Sequence, residues 1–170
     1  MEVRLVPVET PEEVARCAVL AEEIWREHYR TLLSEEQITY MLKMFQSETA
    51  IREQIERENY RYSLFEVDGE PVGYFGWRPD EEGAFLSKLY VRSTARRQGL
   101  ARMALEEIER ETGKGRIWLT VNRENSGSIA AYRRMGFEKT REQCAEIGGG
   151  FVMDDDIMER QIARGADLTR

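Results

Sequence analysis

Residues 86–101 read LSKLYVRSTARRQGLA, and they pass from an apolar strand pattern through a basic loop into a helix pattern. A helix that begins in this way presents backbone N–H groups that lack intrahelical partners, and its macrodipole favours negative charge at that end. Gly99 would allow a ligand to approach the backbone closely. The stretch therefore predicts a phosphate site, although its spacing matches neither the Walker loop nor the GxGxxG dinucleotide fingerprint.

The charge distribution supports the same interpretation. The chain of 170 residues has 25 Lys and Arg against 32 Asp and Glu, which gives a net charge of −7. Against this acidic background, four arginines lie within eleven residues, and they are Arg92, Arg96, Arg97 and Arg102. Guanidinium groups bind phosphate through charge-assisted hydrogen bonds. A general nucleic-acid partner is disfavoured because the rest of the chain would repel it.

Composition excludes several other classes. The chain is 41% apolar and 34% charged, with a mean hydropathy of −0.59, which is typical of a folded domain and not of a disordered or fibrous chain. No apolar run reaches the roughly 18 residues that a membrane span requires, and residues 1–7 lack a secretory pattern, so we expect a cytoplasmic protein. Cys17 and Cys144 indicate neither a disulfide framework nor a zinc site.

Working outward from the loop, the periodicity predicts a mixed order of strands and helices. Ala84 to Val91 has two largely apolar faces and is expected to be a central strand. The predicted elements before it are a strand Glu2 to Val8, helices from Pro11 to about Tyr29, after Ser34 and over Ile51 to Glu58 behind a Ser47 cap, and strands Tyr60 to Val67 and Pro71 to Arg78 joined at Asp68-Gly69. Those after it are Ala101 to Thr112 and Ser126 to Met135 as helices, and Arg116 to Val121, Phe137 to Glu146 and Phe151 to Glu159 as strands.

A second motif lies in residues 119–137, LTVNRENSGSIAAYRRMGF. Asn122 and Asn125 carry amide groups that suit either backbone capping or binding of an amide-containing ligand. Tyr132 has a phenol that can donate a proton. Taken alone, Asn125 is more often a helix cap and Tyr132 more often a core residue.

Together the two segments resemble the GNAT superfamily of acetyl-CoA dependent N-acetyltransferases. Arg96-x-x-Gly99-x-Ala101 is similar to the family's Gln/Arg-x-x-Gly-x-Gly/Ala loop, with Ala101 in place of the commoner Gly. The resemblance implies an α+β fold with a mixed, mostly antiparallel central sheet of six to seven strands and helices on both faces. It also implies one domain over residues 1–164, followed by a tail over 165–170.

The resemblance further implies acetyl-CoA as cosubstrate, no metal, and direct transfer in a ternary complex. Tyr132 would be the general acid that protonates the departing thiolate. The implied coenzyme-binding residues are Leu89, Tyr90, Val91, Arg96, Arg97, Gln98, Gly99, Leu100, Ala101, Arg102, Asn122 and Asn125. A homodimer is possible, since dimers are frequent in the family.

The general base is not assigned by the motifs, because the strand positions where many members carry Glu read Ser87 and Lys88. His28, the single His, titrates in a useful range, although a lone His on a helix is more often a packed or surface residue. The alternatives are Glu22, Glu23, Glu27 and Glu66.

The acceptor is expected to be a small cationic amine, because the first helices and the last strand are rich in acids. Ile24 to Tyr29 and Phe151 to Asp156 look like the corresponding stretches of bacterial GNAT proteins related to polyamine acetyltransferases. Two alternatives remain open: a protein N-terminal or lysine acetyltransferase, and a catalytically silent module that binds or senses acetyl-CoA.

Overall fold

A computed structural model of the protein describes residues Met1–Ile162, so the predicted domain end at 164 and the predicted tail over 165–170 lie outside the described residues. The strands are β1 Val3–Pro7, β2 Arg61–Val67, β3 Glu70–Asp80, β4 Gly83–Val91, β5 Arg116–Asn122, β6 Glu138–Gly148 and β7 Phe151–Gln161. The helices are α1 Pro11–Tyr29, α2 Glu35–Phe45, α3 Glu48–Arg57, α4 Leu100–Thr112 and α5 Ser126–Arg134, with a 3₁₀ turn at Ser93–Ala95.

The seven strands form one sheet in the order β1-β2-β3-β4-β5-β7-β6. The β1–β2, β2–β3, β5–β7 and β6–β7 pairs are antiparallel, whereas β4 pairs with β5 in parallel. The predicted α+β class with a mixed, mostly antiparallel sheet is therefore confirmed, and β4 is the middle strand as its apolar faces predicted. Within residues 1–162, none of the helices is long and apolar enough to span a membrane.

The chain divides into two compact units. The first unit contains Met1–Arg78 and Lys88–Ala104, and the second contains Pro79–Ser87 and the chain from Leu105 onward. Strand β4 and helix α4 each contribute residues to both units.

Side-chain caps set the helix starts in the first unit. The hydroxyl of Thr10 accepts from the N–H of Glu13 at 3.2 Å, and the Glu13 carboxylate accepts from the N–H of Thr10 at 2.9 Å, which completes a capping box before α1. Ser34 and Ser47 cap α2 and α3 through their hydroxyl groups alone, which accept from the N–H groups of Gln37 and Ala50. Helix α3 begins at Glu48, three residues before the predicted start, because the cap at Ser47 fixes the first helical position and the apolar periodicity begins later.

The core of the first unit lies between the helices and β2 and β3. The inward stripe of α1 packs with Ile51 of α3 and with Leu64 and Tyr74 of the two strands. The opposite face of the same strands buries Phe65 and Phe75, whose ring centroids are 5.3 Å apart. Both faces of this part of the sheet are therefore covered.

In the second unit, β5 is paired on both sides over different lengths. Its pairing with β7 runs from Arg116 opposite Gln161 to Asn122 opposite Asp155. Its parallel pairing with β4 joins Gly83–Phe85 to Arg116–Trp118. Among the described residues, the last four positions of β5 thus pair only on the β7 side.

Candidate active site

The basic loop connects β4 to α4 in the first unit. Gly99 has a left-handed backbone with φ of 76°, and a Cβ added there would meet nothing within 4 Å. The N–H of Met103 donates to the carbonyl of Gly99 at 3.1 Å, which makes Gly99 the N-cap of α4. The first N–H groups of the helix, from Leu100 to Arg102, therefore lack intrahelical partners, as an anion site requires. Residues 96–99 in front of them are exposed.

Two features of this loop were missed by the sequence analysis. Ser93–Ala95 forms a 3₁₀ turn, and Arg97 adopts a left-handed backbone with φ of 66°. Left-handed positions are uncommon for residues other than Gly, Asn and Asp, so no sequence signal marked Arg97. The loop therefore has two residues with positive φ, Arg97 and Gly99, just before the helix.

Helix α1 holds the loop through three side chains on its last turns. Glu23 forms an ion pair with Arg92 at 2.6 Å, and Nδ1 of His28 lies 3.4 Å from the guanidinium of Arg96. Hydrogen bonds from the side chain and backbone of Ser93 lower the pKa of Glu27, with Arg96 adding to the effect. Two of the four predicted phosphate-binding arginines are thus engaged by α1.

His28 lies in a setting that keeps it neutral. Burial is the largest cause that lowers its pKa, and the neighbouring Arg96 lowers it further. The ring stands edge-on to Tyr29 with centroids 4.7 Å apart. Because a guanidinium can only donate, Nδ1 is the acceptor in this pair. The lone pair of Nδ1 therefore faces Arg96 and is not directed at a substrate amine. A role for His28 as the general base stays a prediction.

Two other candidate bases of the first unit form ion pairs with arginine side chains. Glu22 lies 3.4 Å from Arg26, and Glu66, which is buried, lies 3.3 Å from Arg16. None of these contacts favours one of the acids as the base.

Lys88 is buried, with only 5% of its surface exposed. Its ammonium group contacts the carbonyl of Phe45 and the hydroxyl of Tyr62, and lies 3.0 Å from Oε1 of Gln54. Burial lowers the pKa of Lys88 to about 7. The sequence analysis noted this residue only as a replacement for Glu. Its strand parity, shared with Leu86 and Tyr90, was the signal that it points into the packed face.

The second motif lies in the second unit. Asn122 ends β5, and its Oδ1 accepts from the N–H of Glu124 at 2.9 Å. Asn125 is 7% exposed and caps α5 by accepting from the N–H of Ser128 at 3.2 Å, so the capping interpretation is correct for its side-chain oxygen. Tyr132 lies on α5, with its ring 5.5 Å from that of Phe137.

Comparison with known proteins agrees with this arrangement. A sequence model of the Acetyltransferase (GNAT) family matches residues 19–137. The PaiA N-acetyltransferase of Thermoplasma acidophilum, solved in complex with coenzyme A, is 20% identical over 95% of this chain and 99% of that one, with a TM-score of 0.75. The ribosomal-protein-S18-alanine N-acetyltransferase of Escherichia coli is 21% identical over 96% of each chain, with a TM-score of 0.62. An acetyltransferase of Thermus thermophilus is 22% identical over 95% of this chain and 97% of that one, also with a TM-score of 0.62.

The family match over residues 19–137 places the protein in the class of acetyltransferases. The chain belongs to the GNAT acetyltransferase family, whose members use acetyl-CoA as cosubstrate. The predicted loop residues lie in the first unit, and Asn122, Asn125 and Tyr132 lie in the second.

Proposed function

We propose that the protein transfers the acetyl group of acetyl-CoA to the primary amine of a small, cationic, polyamine-like acceptor. The observation that carries the proposal is the exposed helix N-terminus at Gly99. It follows the central strand after a loop over residues 92–99, which is held to α1 by the Arg92–Glu23 ion pair. Backbone amides that are fixed before a ligand arrives bind an anion without further ordering cost.

The coenzyme is proposed to bind through three groups of residues. Backbone N–H groups from Arg97 to Arg102 bind the pyrophosphate, with the guanidinium groups of Arg96, Arg97 and Arg102 near it. The strand Leu89 to Val91 pairs with the pantetheine amides, and Asn122 and Asn125 bind the pantetheine arm. The exposure of residues 96–99 supports the first assignment, because a pyrophosphate needs open backbone.

The proposed transfer is a direct attack. The neutral amine forms a C–N bond with the acetyl carbonyl carbon, and the nitrogen loses its extra proton to solvent. The C–S bond breaks, the thiolate takes a proton from the Tyr132 hydroxyl, and the resulting phenolate regains a proton from solvent. An acyl-enzyme on Cys17 is disfavoured because the thiol is fully buried and its burial raises its pKa to about 12. The nucleophilic form of a cysteine is the thiolate.

The acceptor class rests on charge. Part of the predicted acidic surface is neutralised within the fold, because Glu35 pairs with Arg26 at 2.5 Å and Asp154 pairs with Arg123. Asp155 has no such partner among the described residues, and it supports a cationic acceptor more directly than the acidic composition does. A cytoplasmic location and a homodimer stay predictions from the sequence.

The test is acetyl-CoA dependent thiol release with a panel of diamines, spermidine, spermine, amino acids, aminoglycosides and short peptides. Turnover of polyamines is the expected result. Preferential turnover of peptides would replace the small-amine proposal by a protein acetyltransferase. Coenzyme binding without any turnover would favour the silent module.

A further inference from the structure

Strand β7 carries three consecutive aspartates whose environments differ sharply. Asp154 and Asp156 face Arg123, whose guanidinium contacts the first and lies 3.8 Å from the second. Lys139 of β6 adds a contact to Asp156 at 3.3 Å. Because side chains alternate along a strand, Asp155 points to the opposite face, away from both cations.

Asp155 is buried without a hydrogen-bond donor on one of its oxygens. The residue is 3% exposed, and its Oδ1 accepts no hydrogen bond from any described residue. Burial raises its pKa to about 6; the negative charges of Asp154 and Asp156 add to this effect, and Arg123 opposes it. A buried carboxylate with an unused acceptor destabilises a fold, so its presence needs another reason.

The strand register places this carboxyl at the end of β5 that leads into the second motif. Asp155 pairs directly with Asn122, the last residue of β5, so the two side chains share one face. The chain then turns into α5, which carries Tyr132. The parallel pairing of β5 with β4 has already ended at Trp118. On its other side, Asp155 is paired with Gln143 of β6.

We propose that Asp155 binds the ammonium group of the acceptor and takes its proton before acetyl transfer. This inference rests on the proposed function. An ammonium group supplies the N–H donor and the positive charge that Oδ1 lacks. In the step, an N–H bond of the acceptor breaks, its electron pair stays on nitrogen, and an O–H bond forms at Oδ1. The neutral amine is then the nucleophile, and the protonated carboxyl returns its proton to solvent.

The pH dependence follows from the groups around Asp155. The residues paired with it, Asn122 on β5 and Gln143 on β6, do not titrate. The charged neighbours are Asp154, Asp156 and Arg123. On the face of the sheet opposite to Asp155, Asp156 contacts Lys139 and Arg123 contacts Glu142. We therefore expect kcat/KM to fall as the pH drops below about 6, the value to which burial raises the Asp155 pKa.

The experiment compares Asp155→Asn with Asp154→Asn, a matched control one residue away on the solvent-facing side. Thiol release with the best amine is measured from pH 5 to 9, together with coenzyme A binding by calorimetry and thermal unfolding. General-base catalysis contributes about 100-fold to 10,000-fold, so we expect Asp155→Asn to lose at least about 100-fold in kcat/KM. Coenzyme affinity should stay within about twofold of the wild type, because the substitution is expected to impair only the proton-transfer step. The melting temperature should not fall, because the substitution removes a buried charge.

Three results would overturn the assignment: near wild-type turnover by Asp155→Asn, an equal loss in Asp154→Asn, or a wild-type profile without an acid limb. The acid limb is measured on the wild type, so it tests the assignment even if the variant folds poorly. A wild type that turns over no amine would overturn the proposed function and this assignment with it, whereas an active wild type with an equally active variant would overturn only the assignment.

Discussion

Replacing Lys88 with methionine should make the protein more stable at neutral and acidic pH. The substitution keeps a similar volume and removes a charge that has no carboxylate within hydrogen-bonding distance among the described residues. The partners that it leaves stay satisfied, because Tyr62 donates to Oε1 of Gln54 at 2.5 Å and Nε2 of Gln54 donates to the carbonyl of Phe45 at 3.3 Å. Replacing a buried charge with an apolar side chain is then neutral or stabilising.

The magnitude follows from the Lys88 pKa, which burial lowers from 10.5 to about 7. At about 1.36 kcal/mol per pH unit, this difference corresponds to a cost of about 5 kcal/mol as an upper limit. Below pH 7 both folded and unfolded chains bind the proton, so the full cost is present. Between pH 7 and 10.5 the unfolded chain binds more protons, so wild-type stability rises with pH and the cost disappears. Burial raises the pKa values of Tyr62 and Cys17 in the fold, so these groups titrate in this window only in the unfolded chain. Both proteins contain them, so their contribution cancels in the difference between Lys88→Met and the wild type.

Urea unfolding at pH 6, 7, 8 and 9 measures this effect. The free energy of unfolding of Lys88→Met should exceed that of the wild type by a few kcal/mol at pH 6, and the difference should shrink steadily toward pH 9. Lys43→Met, at an exposed position of α2, is the matched control and should show no such trend. A difference for Lys88→Met that is independent of pH, or a loss of stability at pH 6, would refute the reasoning.

Three further substitutions test the Gly99 loop, the proposed general acid Tyr132 and the N-terminal cap of α1. Gly99→Glu should abolish coenzyme A binding in calorimetry, because it places a carboxylate in the open space before α4, whereas Gly113→Glu, which also has positive φ and open surroundings, should bind normally; equal binding by both variants would contradict the loop assignment. Tyr132→Phe should lower kcat by about 100-fold or more with coenzyme affinity unchanged, and an equal loss of affinity would argue against a proton donor. Thr10→Ala should reduce the free energy of unfolding by about 1 kcal/mol in urea titrations, since it removes the cap of α1; no change would show that the capping box contributes nothing measurable.

Local signals predicted most of the fold. The hairpin at Asp68-Gly69 has φ values of 50° and 84°, which is the pair of left-handed positions that such a turn needs, and the Thr10 capping box begins α1 at the expected residue. Gly136, with φ of 92°, follows the end of α5 as predicted. These features depend on a few neighbouring residues, so the sequence contains them completely.

The features missed by sequence analysis depend on partners that are distant along the chain. Strand parity indicated which face Lys88 points to, but the residues of α2, α3 and β2 that bury its ammonium group could not be identified from the sequence. Asp155 looked like one of three equivalent acids until the β5–β7 register separated its face from that of its neighbours. The pairing of Arg92 with Glu23 likewise joins residues 69 positions apart.

The most direct test of the central claim is wild-type thiol release from acetyl-CoA with the amine panel, with coenzyme A binding measured on the same preparation. The account predicts coenzyme binding and turnover that depends on a small cationic amine. Absence of coenzyme binding by the folded protein would contradict the assignment of the Gly99 loop, and with it the acetyltransferase account of this chain.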